Sequence, residues 1–259
     1  MTTLYLAWQH APSRQWFPVG RLIRRRTATE QFEFSYVQGA RDARDLAGFR
    51  GIPEFPDLDR RYEAAALFPT FRNRTMNKKR RDRAAYLHEL GLDVNECDEV
   101  AELLASGGRS HTDSFETFPG IEPDATGRFH TRVTLHGLRH ANEHAIEAVR
   151  GLRVGDKLRV AAELNNPVTS YGLVVYTQEY YMLGWLPRYI AETIQQSAKL
   201  TNLEADAAVA RMNPHAPLSQ RLLVDFSGRL PPGVDPMGDL PQYQPINVAN
   251  TKGAEAAAV

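Results

Sequence analysis

The residues whose spacing could support catalysis lie at positions 140–144. His140, Glu143 and His144 match the H-x-x-E-H pattern, in which two histidines bind zinc and the glutamate acts as general base on the zinc-bound water. Glu204 is the candidate for a third, acidic ligand. The pattern is short and falls where a strand is expected to give way to a helix, so that ordinary surface histidines are the simpler interpretation. A zinc metallopeptidase is the remote alternative.

Other catalytic signatures are missing from the sequence. It contains no G-x-S-x-G elbow, and Gly107-Gly108 is not followed by the Lys-Ser/Thr pair of a P-loop. Cys97 lies between Glu96 and Asp98, whose negative charges disfavour a reactive thiolate. The sequence therefore predicts a protein without catalytic residues, metal or cofactor.

Aromatic and basic residues in the second half indicate a different chemistry. Six aromatic side chains fall within 19 residues: Tyr171, Tyr176, Tyr180, Tyr181, Trp185 and Tyr189. Basic residues lie near them in sequence: Arg139, Arg150, Arg153, Lys157, Arg159 and Arg188. Single-stranded nucleic acid stacks its bases on such rings, at about 1–3 kcal/mol per base, and places its phosphates against such cations. Strand alternation assigns about half of the rings to a core, which leaves the others for stacking.

A basic run at positions 72–83, RNRTMNKKRRDR, is a second candidate for phosphate contacts. Its candidate residues are Arg72, Arg74, Lys78, Lys79, Arg80 and Arg81. Six acidic residues follow between positions 89 and 102. The two segments are equally consistent with solvated faces that partly neutralise each other.

The overall composition narrows the protein class. The chain has 259 residues, of which 42% are hydrophobic and 24% charged, so one large domain or two modest ones with a real core are expected. The 31 Lys and Arg residues balance 31 Asp and Glu residues, which excludes a uniformly basic protein. One cysteine excludes a disulfide framework. No run of ~18 apolar residues or secretory signal is evident, and a cytoplasmic location without a membrane partner is expected.

Hydrophobic patterning predicts an α+β protein that begins with an α/β module. Strands are expected at Thr3–Trp8, Trp16–Ile23 and Gln31–Val37, and helices at Arg41–Leu46, Arg80–Leu90 and Asn95–Ala105. The Pro- and Gly-rich stretch Phe118–Gly127 is the expected domain boundary.

Short strands joined by turns follow this boundary and predict a small β-barrel. The strands are expected at Phe129–Leu135, Lys157–Leu164, Tyr171–Tyr176, Tyr180–Leu186 and Gln220–Phe226, with helices at Asn142–Val149 and Arg188–Ala198. Five prolines and few large apolar residues from Pro231 onward indicate a tail, either ordered by contact or disordered. The predicted domains are 1–118, 128–230 and 231–259.

Four motifs in the second half resemble those of the HIRAN domain in order and spacing. They are His136-Gly137-Leu138-Arg139, Val154-Gly155-Asp156-Lys157-Leu158, Asn165-Asn166-Pro167 and Leu183-Gly184-Trp185-Leu186-Pro187-Arg188. The resemblance covers about Phe129–Phe226. It implies a small barrel related to OB and SH3-like folds, a module of eukaryotic fork-remodelling helicases and of bacterial proteins. The best-understood member of the family grips the 3′-hydroxyl end of single-stranded DNA.

The resemblance also implies a set of DNA-binding residues: Arg139, His140, Asn166, Thr169, Trp185, Arg188 and Lys157. His140 stands at one of two aromatic positions of the family, and Ala141 replaces the other. Val168 and Thr169 replace an aromatic residue and the aspartate that receives the terminal hydroxyl. Thr169 can hydrogen-bond a hydroxyl but lacks the charge that strengthens such a bond. DNA binding is therefore expected, and strict recognition of a 3′ end is left open.

The first half resembles, more weakly, the N-terminal subdomain of HipA-type toxins. The matching residues are Val19-Gly20-Arg21-Leu22, Phe32-Glu33-Phe34, Leu67-Phe68-Pro69 and Phe71-Arg72-Asn73-Arg74. This resemblance implies a regulatory or docking module without a kinase core. The leading hypothesis is a non-catalytic bacterial module of DNA repair or phage defence that binds single-stranded DNA or DNA ends. The alternative is a protein-interaction module that docks a toxin kinase or a defence effector.

Overall fold

Two antiparallel β-sheets form the frame of the protein in a computed structural model, which describes residues 1–26, 29–110, 112–166, 170–198, 204–214, 218 and 221–246. The strands of the first sheet are β1 (Thr2–Gln9), β2 (Trp16–Arg26), β3 (Glu30–Tyr36), β4 (Tyr62–Ala64) and β5 (Phe115–Pro119), in the order β4-β3-β2-β1-β5. The helices of this half are α1 (Gln38–Ala47), α2 (Pro69–Arg72), α3 (Arg83–Glu89) and α4 (Glu99–Ser106).

The second sheet contains six strands and curls into a barrel-like shape. Its strands are β6 (Arg128–Thr134), β7 (Lys157–Asn166), β8 (Ser170–Tyr176), β9 (Met182–Trp185), β10 (Glu204–Met212) and β11 (Leu222–Arg229), in the order β6-β11-β10-β7-β8-β9. The helices of this half are α5 (Glu143–Gly151), α6 (Arg188–Ala198) and α7 (Pro236–Asp239). The predicted α+β class and the barrel-like second half are confirmed.

The two edges of the curled sheet meet at a bridge between His136, just after β6, and Trp185, the last residue of β9. The His136 N–H donates to the Trp185 carbonyl at 2.8 Å, and the Trp185 N–H donates to the His136 carbonyl at 2.9 Å. Gly184 permits this approach, because a Cβ at that position would lie 2.3 Å from the His136 carbonyl oxygen. Its φ of +141° also favours glycine. The bridge places His136 and Trp185 side by side at one end of the barrel.

Replacing Gly184 with alanine is expected to destabilise the protein by about 1–3 kcal/mol through overpacking at this bridge. The matched control is Gly155→Ala, because Gly155 also has a positive φ, +91°, but a Cβ added to it would have no neighbouring atom within 4 Å. The control therefore isolates the backbone cost. Urea unfolding of both variants tests the expectation, and equal losses of stability would show that the bridge does not depend on Gly184.

Strand β1 is buried on both faces, which explains its continuous apolar sequence LYLA. Leu4 and Leu6 belong to a core cluster formed by the first half together with Ile246. Tyr5 and Ala7 belong to a second cluster that includes the interior of the barrel. The first sheet therefore packs directly on the barrel through β1, and the two halves share an apolar interface.

The chain after the barrel contacts both halves as far as it is described. The Ile246 N–H donates to the Tyr36 carbonyl at 3.0 Å, and Val37 forms an isolated bridge with Pro245. The buried Tyr243 hydroxyl lies 2.5 Å from Thr193 Oγ1 on α6. The interpretation of a tail ordered by contact thus fits residues 231–246, and the rest of the tail lies outside the described residues. The predicted domain limits stay predictions.

Several element boundaries differ from the sequence-based expectation. Strands β5 and β10 were not expected, because β5 overlaps the Pro- and Gly-rich stretch and the sequence EADAAVARM of β10 contains few β-branched or aromatic residues. The helix expected at Asn95–Ala105 begins only at Glu99, because the Asp98 carboxylate accepts from the Ala101 N–H at 2.9 Å and caps the helix there. No helix in the described part of the chain is long and apolar enough to span a bilayer.

Candidate nucleic-acid interface

A cavity of about 350 Å³ opens where the barrel meets the first sheet. Five of the seven DNA-binding residues predicted from the sequence line it: Arg139, His140, Asn166, Trp185 and Arg188. They come from the turn after β6, the end of β7, the end of β9 and the first residue of α6. The bridge between His136 and Trp185 is what brings these separated segments together.

The position of the Trp185 indole is determined by polar and steric contacts. Its Nε1–H donates to Glu163 Oε2 at 2.8 Å, and the Asn166 amide donates to the same oxygen at 2.7 Å. Gly137 and Gly172 provide the space for the ring, because a Cβ on Gly137 would lie 2.5 Å from its Cε3 and one on Gly172 would lie 3.1 Å from its Cδ1. Glu163 thus orients two lining residues at once.

Arg139 and His140 lie on an exposed 3-10 turn, Leu138–His140. The Arg139 Nε–H donates to His140 Nε2 at 3.1 Å, and no carboxylate of the described residues forms an ion pair with Arg139. Arg188, by contrast, donates through Nε to Glu192 Oε1 at 2.5 Å. Burial raises the pKa of Glu192, and the Arg188 guanidinium acts in the opposite direction. Arg139 is therefore better placed than Arg188 to meet a phosphate.

The two other predicted DNA-binding residues are Lys157 and Thr169. Lys157 is exposed at the start of β7 and does not line the cavity. Thr169, together with Val168, lies outside the described residues. Gln9, Arg14 and Trp16 of the β1–β2 hairpin line the same cavity from the first half and were not predicted from the sequence. No local motif marks these three residues, since more than a hundred positions separate them from Arg139.

The basic run at positions 72–83 does not line this cavity, and only some of its cations form ion pairs. The Arg74 side chain is buried, pairs with Asp113 at 2.5 Å, and donates to the Thr70 and Gly108 carbonyls. Lys78 lies 3.8 Å from Glu99, and Arg80 lies 2.6 Å from Asp82. The remaining candidates, Arg72, Lys79 and Arg81, are exposed. Three of the six candidate residues therefore form local ion pairs.

The H-x-x-E-H pattern does not form a zinc-binding helix. Asn142 caps α5 by accepting from the Ala145 N–H at 2.8 Å, so Glu143 and His144 lie on that helix while His140 lies on the preceding 3-10 turn. The described residues contain no group of three or more His, Cys, Asp and Glu side chains that could hold a metal ion. The geometry therefore does not support the zinc-peptidase alternative.

A second cavity of about 310 Å³ adjoins the first and shares Arg14, His136 and Arg139 with it. Beneath it lies Glu116, a buried carboxylate on β5. Arg109 Nη2 and the Tyr189 hydroxyl each lie 2.8 Å from Glu116 Oε1, and His136 Nε2 lies 3.5 Å away. Burial alone would raise the pKa of Glu116, but Arg109 and His136 lower it to about 2. This network joins the first sheet to the barrel beneath the two adjoining cavities, which together form the groove of the site.

The site and fold define a small β-barrel module with an aromatic and basic groove at one end. Residues 129–230 match the family model of the HIRAN domain, which confirms the resemblance inferred for about Phe129–Phe226. This part of the chain is a HIRAN domain. The resemblance of the first half to HipA-type toxins stays a prediction.

Two solved structures are similar to part of the chain. A protein from Lactobacillus plantarum is 20% identical, with 39% of this chain and 97% of that chain covered and a TM-score of 0.31. The HIRAN domain of human HLTF is 16% identical, with 40% of this chain and 78% of that chain covered and a TM-score of 0.30. No curated protein matches the sequence significantly.

Proposed function

We propose that this protein binds single-stranded DNA in the groove between the barrel and the first sheet, without catalysing a reaction. The observation that carries the proposal is the juxtaposition in one cavity of an oriented indole, Trp185, with Arg139, whose cation no described carboxylate neutralises. HIRAN domains are DNA-binding modules, and residues 129–230 form such a domain. The fold and the site therefore favour the same ligand.

Each lining residue has a role that suits a single strand. A base stacks on the part of Trp185 that faces the cavity, while Arg139 pairs with a neighbouring phosphate. His140 offers a second ring next to Arg139, and Asn166 holds its amide in a fixed orientation because it donates to Glu163. Duplex DNA has no unstacked base for Trp185, so the groove favours single strands.

The test is fluorescence anisotropy with labelled single strands, carrying free or blocked 3′ ends, and with blunt duplex at several salt concentrations. We expect single strands to bind more tightly than duplex. Affinity is expected to fall as the salt concentration rises, because binding of the protein releases cations condensed on the DNA. Blocking the 3′ end is expected to weaken binding less than about threefold, because Thr169 replaces a charged acceptor and charge-assisted bonds are roughly twice as strong as neutral ones.

Each outcome of this experiment is informative. Undetectable binding at low salt would contradict the proposal and favour the protein-interaction alternative, which co-purification from the native host would then examine. Equal binding of duplex and single strands would contradict the stacking role of Trp185. A large loss on blocking the 3′ end would show that end recognition is retained.

A further inference from the structure

We propose that the β1–β2 hairpin is a second phosphate-binding element of the same groove, with Arg14 as its principal contact. This inference rests on the proposed function and extends it, because it makes the first half of the chain part of the nucleic-acid site. Its ligand is the phosphodiester backbone of the strand whose base stacks on Trp185.

The first observation is that hairpin residues line both adjoining cavities. Gln9, Arg14 and Trp16 line the cavity that contains Trp185, and they also line the neighbouring cavity that contains Arg109. Arg139 lines both cavities as well. A strand that leaves Trp185 past Arg139 therefore meets the hairpin before it reaches Arg109.

The second observation concerns the state of the Arg14 side chain. Arg14 is exposed, and no carboxylate or carbonyl of the described residues accepts a hydrogen bond from its guanidinium. Several other arginines of the first half are paired, as Arg24 and Arg26 are with Asp98. A guanidinium in this state at the wall of a groove is available for a phosphate, which it can bind with two parallel hydrogen bonds.

The third observation is the backbone conformation of Arg14. Its φ is +58°, in the left-handed region that favours Gly or Asn. The turn is held by the Arg14 N–H donating to the His10 carbonyl at 2.8 Å and by the His10 N–H donating to the Gln15 carbonyl at 2.9 Å. A residue unsuited to this conformation occupies a turn position that lines the groove, which is typical of a functional position.

The acidic residues near this path are already neutralised. Asp113 pairs with Arg74, and Glu116 is buried against Arg109. The polar lining also includes uncharged groups: Gln9, Ser110 and Ser114. The path from Trp185 to Arg109 is therefore positive, although the net charge of the chain is zero.

The experiment compares the wild-type chain with Arg14→Gly and Arg14→Lys on oligothymidylates of 2, 4, 6 and 10 nucleotides. Arg14→Gly relieves the positive φ, so its Tm is expected to stay equal or rise, while its affinity for the longer oligonucleotides falls about fivefold or more. Its salt slope is expected to fall by about 0.7, the value for one phosphate contact on a single strand. Arg14→Lys keeps the charge and most of the affinity. The dinucleotide carries a single bridging phosphate and is expected to show the smallest difference between the variants.

The matched control is Arg50→Gly, which removes an exposed arginine of the first half that lines neither cavity. This variant is expected to bind every oligonucleotide as the wild type does. If the wild type binds DNA and Arg14→Gly retains its affinity and salt slope at all lengths, the inference is overturned while the proposed function stands. If the wild type itself does not bind, both are overturned.

Discussion

Replacing Trp185 with alanine is expected to cause the largest loss of single-strand affinity of any single substitution in the groove. Base stacking on an aromatic side chain contributes about 1–3 kcal/mol per base, which corresponds to a loss of roughly 5- to 150-fold. Trp185→Phe should retain most of the affinity, because a phenyl ring still offers a stacking face. Fluorescence anisotropy with a decathymidylate measures both variants.

The control for this prediction is Tyr181→Ala, which removes a partly exposed ring that lies outside the cavity. Trp185 also packs close to Gly137 and Gly172, so urea unfolding is needed to show that Trp185→Ala is folded at the temperature of the binding assay. Folded Trp185→Ala with wild-type affinity would contradict a stacking role. Equal losses of affinity in Trp185→Ala and Tyr181→Ala would show that aromatic residues contribute to binding whether or not they line the groove.

Replacing Glu116 with glutamine is expected to cause the largest loss of stability. The substitution leaves Arg109 without its carboxylate at a site where the Glu116 side chain is only 6% exposed. Removing one partner of a buried ion pair costs about 3–5 kcal/mol, and Arg109 is partly exposed, so a value of about 3 kcal/mol is expected. For a chain of this size that corresponds to a fall in Tm of roughly 6–12 °C. Thermal unfolding measures this change.

The same carboxylate gives the stability of the wild type a defined pH dependence. The pKa of Glu116 is lowered from 4.5 to about 2 in the folded protein, so its stabilising contribution is complete above pH ~4.5 and is lost as the pH falls toward 2. In Glu116→Gln this component of acid unfolding is absent, and the stability difference from wild type should shrink as the pH is lowered through that range. A difference that stays constant between pH ~5 and ~3 would contradict the assignment.

Glu147→Gln is the control for both measurements on Glu116. Glu147 pairs with Arg150 at 2.8 Å, but its side chain is 72% exposed. An exposed ion pair of this kind contributes about 0–1 kcal/mol, so the variant should unfold close to the wild type at every pH. If Glu147→Gln and Glu116→Gln lose the same stability, burial of the Glu116 network is not the cause.

The sequence by itself determined most of the barrel and its family. Short apolar runs bounded by turn residues located β6, β7, β8 and β11 to within a few residues, because strand propensity and turn chemistry are local properties. The short motifs around Gly137, Asn166 and Trp185 identified the HIRAN domain and five residues that line the groove. Strand β10 was not predicted from the sequence, because alanine has a low propensity for strands.

Only the tertiary structure decided which of these residues act together and with what partners. The β1–β2 hairpin enters the groove because β1 is buried on both faces and docks the first sheet against the barrel, a packing that no local spacing records. The roles of Glu163 and Glu116 likewise depend on contacts between residues distant in sequence. The sequence shows where the arginines lie along the chain, but not which of them are paired. In the structure, Arg74 is buried in an ion pair, whereas Arg14 and Arg139 line the groove without a carboxylate partner among the described residues. This difference decides their roles, because a cation is available to a ligand only where no nearby carboxylate neutralises it.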